Sequence, residues 1–175
     1  MNKILSLVSL MTVVASSATG CTEDQAVAAT KLELSPEVVV RIETILGDYE
    51  GLRAVLAGDR LDEVAALATK LEVNAVAAKA GAPKDIVTRL AEMKKAVARL
   101  KAGGSADNQR RAFGELSRAV VLLIAQHRAL AKGRHIFKCP MAQGYEKWVQ
   151  TSPKLENPYM GGRMLRCGTD TEWNP

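Results

Sequence analysis

The chain has 175 residues, a formal net charge of +5, 47% hydrophobic residues and only 4% aromatic ones. That is one domain's worth of chain, long enough to bury a core, and its scarce aromatics beside abundant Ala, Val and Leu favour packed helices over a β-sandwich. The positive excess is mild and dispersed, with no basic run interleaved by aromatics, which argues against nucleic-acid binding.

Lys3 precedes an apolar run, Ile4 to Ala15, of signal-peptide length and too short to span a bilayer comfortably. Residues 1–20 therefore read as a signal peptide. Small residues lead to Cys21, and Ala-Thr-Gly-Cys resembles a bacterial lipoprotein signal, with Ala18 standing where leucine is usual. On that reading Cys21 is lipidated and becomes the mature N-terminus, and residues 21–34 are the anchor cysteine and a polar, alanine-rich tether. Ordinary cleavage near Gly20, leaving a free thiol, is the alternative. Losing Lys3 lowers the formal charge from +5 to +4. No later segment is long and apolar enough to span. The expected location is the cell envelope, on its periplasmic side, with the membrane as a partner through the lipid anchor.

Residues 35–132 carry four helical patterns. Ser35-Pro36 is a helix start, with Ser as N-cap and Pro at the first helical position. Val38, Ile42, Ile45, Tyr49, Leu52 and Leu56 then recur on one face. Gly47 and Gly51 within this helix would let a neighbour approach closely. A second helix is expected from Arg60 to Lys79, with the face Leu61, Val64, Ala68, Leu71, Ala75 and Ala78, before the break Gly81-Ala82-Pro83. The third carries Ile86, Leu90, Met93, Val97 and Leu100 and stops at Gly103-Gly104. Ser105 or Asp107 caps the fourth, whose face is Phe113, Leu116, Val120, Leu123, His127 and Leu130. Short loops favour a mainly α fold, an antiparallel four-helix up-down bundle. Its inward positions are aliphatic and hold no Glu-x-x-His pair, against a di-iron site. His127 reads as a satisfied histidine near a helix end; the sharper alternative brings it to the C-terminal segment.

After Gly133 the pattern changes. Residues 133–175 form a Cys/Met-containing segment, irregular or β, packed at one end of the bundle. Residues 135–139 and 145–150 read as short strands, and Pro140, Pro153 and Pro158 exclude long regular structure. Trp148, Tyr159, Phe137 and Leu165 are expected to form a small satellite core. Cys139 and Cys167, 28 residues apart, have two readings. In an oxidising compartment they form a disulfide, contributing about 3 kcal/mol for a loop of that length. Alternatively they belong to a soft-metal site, because polarizable thiolates and thioethers select Cu(I). Cys139 and Met141 would share one face of a strand, and Met164 and Cys167 one face of a helical turn, with Met160 a further turn back. His135 could add an imidazole. Zinc fits less well, since methionine is a poor ligand for it. The bland role for the methionines is gap-filling in a core.

Cys139-Pro140-Met141-Ala142, then Trp148, then Asn157-Pro158-Tyr159-x-Gly161-x-x-Met164-x-x-Cys167-Gly168 resemble the C-terminal signature of an uncharacterised bacterial domain family. That family occurs as small exported proteins, and fused to or alongside the periplasmic adaptor proteins of copper and silver efflux pumps. A helical region precedes its signature, so the resemblance covers most of residues 35–170. It implies heavy-metal handling, an efflux adaptor as partner and no established enzyme activity, and it points to Cys139, Met141, Met164 and Cys167. Cys-Pro-Met also echoes a separate heavy-metal motif, Cys-Pro-Met-His-Pro, in which Ala142 replaces the histidine.

No Ser-His-Asp order, phosphate loop or His-Glu-x-x-His motif is present, and the carboxylates lie on charged helix faces, so an enzyme is not expected. The expectation is an exported, lipid-anchored protein that binds a soft heavy metal, Cu(I) first, through Cys139, Met141, Met164, Cys167 and His135. The alternative is a non-enzymatic envelope interaction module in which Cys139 and Cys167 form a structural disulfide.

Overall fold

The computed structural model describes residues 34–174; the expected leader, Cys21 and the tether up to residue 33 lie outside them. Ser35 caps α1 (Pro36–Ala57), its hydroxyl accepting from the Val38 N–H at 3.4 Å. The apolar face read from the sequence is the buried one. A 3-10 turn (Leu61–Glu63) then leads into α2 (Val64–Ala77), so the second helix begins later than Arg60. α3 (Lys84–Ala102) buries Ile86, Leu90, Met93, Val97 and Leu100 and ends at Gly103 with φ +70°. Of the two candidate caps for α4 (Ala106–Gln126), it is the Ser105 hydroxyl that accepts from the Asn108 N–H, at 3.3 Å. The fourth helix does not run on to Leu130. His127 is its C-cap, and Leu130 is buried from a separate 3-10 turn (Arg128–Ala131).

Each helix packs on the next in sequence, giving the mainly α four-helix bundle expected, while α1 and α4 share a narrower contact. Three strands follow: β1 (His135–Lys138), β2 (Lys147–Gln150) and β3 (Thr169–Asp170). They form an antiparallel sheet in the order β2-β1-β3, with Phe137 opposite Trp148 on one side and Asp170 on the other. β3 has only two residues, too few to show a period in sequence.

The terminal segment is not confined to the bundle end where α4 delivers it. β2 packs along α4 and also touches α1. Its outer edge would leave backbone groups unpaired, and hydroxyls from the helices satisfy them. Val149 N–H donates to the Tyr49 hydroxyl at 3.1 Å, and the Ser117 hydroxyl donates to the Lys147 carbonyl at 2.9 Å. Because the Ser117 proton is committed, the Tyr49 hydroxyl is the donor in their 2.8 Å contact. Tyr159 donates to the same Lys147 carbonyl at 2.6 Å. Five of the seven aromatic side chains run in one file across this seam, Tyr49, Phe113, Tyr159, Trp148 and Phe137, with centroids 5.2 to 5.9 Å apart.

Two expectations change as a result. Trp148, Tyr159 and Phe137 are not a satellite: they belong to one apolar cluster with the helices. Leu165 is only half-buried, and Leu155 packs against that cluster instead, because the chain doubles back between Asn157 and Leu165. The glycines of α1 do not serve close packing either. A Cβ on Gly47 would meet nothing, and one on Gly51 would make ordinary contact with Leu67. The close approach is at Gly114 of α4, where a Cβ would sit 3.2 Å from the Tyr145 carbonyl oxygen.

Candidate functional site

The two ends of the tail converge. β1 ends as Pro140 enters, since proline has no N–H to extend a ladder. The rung at Cys139 still forms, its N–H donating to the Glu146 carbonyl at 2.9 Å. Cys167 arrives from the other direction on a turn, its N–H donating to the Met164 carbonyl at 3.0 Å just beyond a 3-10 turn (Gly161–Met164). The two Sγ atoms lie 3.7 Å apart, in contact and unbonded. Cys139 is wholly buried, while Cys167 is partly exposed. The contact with Cys139, and secondarily burial, raises the Cys167 pKa above the usual thiol value.

The segment Asn157–Gly168 fixes Cys167. Asn157 is fully buried and its side chain is the centre of the turn. Its Nδ2 donates to the Cys167 carbonyl at 2.6 Å, and its Oδ1 accepts from the N–H groups of Tyr159 at 2.7 Å and Met160 at 3.1 Å. Gly168, at φ +144°, presses on Trp148 and the Lys138 carbonyl so closely that a Cβ would come within 2.9 Å of each. Only glycine admits that approach.

The same turn is clipped to the bundle. Asp59 is the one non-glycine residue with positive φ among the described residues, at +57°. Its carboxylate accepts from the Gly162 N–H at 2.8 Å and pairs with Arg110 of α4. Arg110 also donates to the carbonyls of Pro158 at 3.2 Å and Leu56 at 3.3 Å. A Cβ on Gly161 would fall on Asp59 and Arg110, so this latch requires glycine there. From α1, the buried Arg53 donates to the Glu156 carbonyl at 3.0 Å.

The remaining candidates are placed differently. The face-sharing of Cys139 and Met141 does not hold, because Cys139-Pro140-Met141-Ala142 is a β-turn closed by Ala142 N–H to the Cys139 carbonyl at 3.1 Å. Met141 swings out to 54% exposure and lines a surface groove with Met160, Arg110, Arg111, Gln143 and Arg163. Neither cysteine lines that groove. Met164 ends the 3-10 turn that precedes Cys167, with its side chain exposed. His135 lies four residues along an extended strand from Cys139, about 13 Å away, and its ring stacks beside Phe137. It is therefore outside the thiol pair. His127 also lies elsewhere: its Nε2 meets Asp85 of α3 at 2.8 Å, the role expected of a satisfied histidine. Among the described residues no three His, Cys, Asp or Glu side chains gather as a metal-holding group.

Asn157, Gly168, Asp59 and Arg110 shape the site without having stood out as site residues in sequence. Asn-Pro is a turn signal, and Gly58-Asp59 sits at a helix end, so the turns were readable. Their convergence on one cysteine was not, because it spans contacts such as Asp59 to Gly162, 103 residues apart. Compared with protein families, with curated proteins and with solved structures, the chain matches none.

Proposed function

We propose that this protein binds a soft metal ion, Cu(I) as the best match, through Cys139 and Cys167, and that the ion is cargo to be buffered or passed on. The observation that carries the reading is the thiol pair itself: two cysteines 28 residues apart held at 3.7 Å by a turn that two glycines, a buried asparagine and an Asp–Arg clip hold in place. With metal–thiolate bonds of about 2.3 Å, sulfurs at that spacing can both reach one ion. The donor chemistry favours a soft ion over zinc or calcium: the further donor on the same turn is the Met164 thioether, and methionine's unbranched chain lets it swing over the pair. Met141 is the second thioether candidate, through a rotation of its exposed side chain.

Lipid anchoring at Cys21, export to the envelope and exchange with an efflux adaptor belong to the same proposal. Their support is the leader-like start of the chain and the tail's resemblance to a family associated with copper and silver efflux.

Competition of the fully reduced protein against a colorimetric Cu(I) chelator tests it, with Cys21→Ser as the background. Cys139→Ser and Cys167→Ser should each weaken Cu(I) binding by at least about 100-fold, the upper range for loss of an outer-sphere partner. Met164→Leu should cost less. Unchanged affinity in both cysteine variants would sink the reading. A second reading rests on the same sulfur contact: a closed structural disulfide, in which case protein isolated from the envelope shows no thiol at either position.

A further inference from the structure

The thiol pair is lopsided. Cys139 is wholly buried, behind the β1–β2 rung to Glu146 and the aromatic file, whereas Cys167 is partly exposed at the open end of its turn. An external reagent can meet only one of the two sulfurs. From this geometry we infer that Cys167 is an entry site for thiol–disulfide exchange, taking a disulfide as its substrate class, with Cys139 as the resolving thiol.

The chemistry balances in two steps. The Cys167 sulfur, after losing its proton to solvent, attacks one sulfur of an external disulfide. An S–S bond forms at Cys167, and the other half leaves as a thiolate that takes up a proton. Cys139 then gives up its proton and attacks the Cys167 sulfur from 3.7 Å away. The internal disulfide forms, and the second half of the donor leaves as thiol. Two cysteine thiols are oxidised and one external disulfide is reduced to two thiols, so no further oxidant is required.

The second step needs the sulfurs to close from 3.7 Å to about 2.05 Å. Cys139 is held in the ladder, so the movement falls on Cys167. The Asn157 bond holds the Cys167 backbone carbonyl and not its thiol, and the residue is partly exposed, so the closing movement is a rotation of that side chain. The reverse exchange, with a reducing thiol, must also begin at Cys167. Where the protein carries a soft metal, which rests on the reading above, the same exchange is its gate: the dithiol has both donors, and the disulfide has neither.

The test exposes the reduced full-length chain, with Cys21→Ser, to oxidised glutathione and follows intact mass. The wild-type pair should pass through a transient single glutathione adduct to the internal disulfide. Cys139→Ser should stop at a stable adduct on Cys167. Cys167→Ser should form an adduct at least 10-fold more slowly. A brief iodoacetamide pulse on the wild-type pair, with peptide mapping, needs no variant to fold and should label Cys167 well ahead of Cys139. Equal labelling of the two thiols, or adduct formation in Cys167→Ser as fast as in Cys139→Ser, overturns the inference. Cu(I) binding by the dithiol and disulfide forms is measured in parallel. Ordered exchange with no Cu(I) binding by either form upholds the entry site and refutes the metal reading alone.

Discussion

Cys167 carries a thiol whose proton is held more tightly than usual, first by its neighbour Cys139 and then by burial. Only the thiolate reacts with alkylating agents, so at pH 8 the reduced protein should be alkylated at Cys167 several-fold more slowly than a free cysteine peptide. Cys139→Ala removes the larger cause and should speed that reaction; an unchanged rate would show that the contact does not control the proton. Tyr49 and Tyr159 give a second residue-level expectation. Burial is the main cause raising both hydroxyl pKa values. In the unfolded chain tyrosine titrates near 10, so the unfolded state loses these protons first. Their stabilisation is therefore intact below about pH 10 and is lost as pH climbs from there toward the folded-state values. Urea midpoints should hold steady up to about pH 9 and then fall, and the fall should be shallower in Tyr159→Phe. A slope identical to wild type in that variant would contradict the assignment.

At the level of elements, the helices were legible because each has a stripe of at least four apolar positions and a chemical start or stop, such as Ser35-Pro36, Ser105 or Gly103-Gly104. The errors fall where local signals stop. α4 ends four residues before Leu130 although the apolar spacing continues, because the chain is passing into a 3-10 turn that still buries that leucine. The shared strand face of Cys139 and Met141 fails because Pro140 turns the chain at once. In the tail, the spacing of Met164 and Cys167 could not show that the Asn157 side chain binds the Cys167 carbonyl and the N–H groups of Tyr159 and Met160. That turn is also testable. Asn157→Ala strips the partner from the Cys167 carbonyl and from two N–H groups, at about 1–3 kcal/mol for each group left buried and unpaired. Chemical denaturation should show a loss of roughly 2 kcal/mol or more, with faster alkylation of Cys167. A loss under about 0.5 kcal/mol would mean that the turn is held by other contacts.

At the scale of the molecule, bundle and tail are one folding unit, because β2 completes the α1–α4 seam with Trp148 and with hydroxyl-capped backbone. Trp148→Ala should cost about 3–5 kcal/mol. Truncation after Lys132 uncovers Tyr49 and Phe113. The truncated chain should keep helical far-UV signal, lose near-UV signal and bind a hydrophobic dye; a sharp, cooperative thermal transition would instead show a self-sufficient bundle. This architecture explains how a short, proline-broken tail holds two sulfurs in register: the helices are its scaffold and Asp59–Arg110 its clip. What the pair does is decided most directly by X-ray absorption at the copper edge on reduced protein loaded with one equivalent of Cu(I). The proposal predicts a shell of sulfur alone that loses a scatterer in Cys139→Ser and again in Cys167→Ser. A shell of nitrogen or oxygen, or one that neither substitution alters, would contradict it.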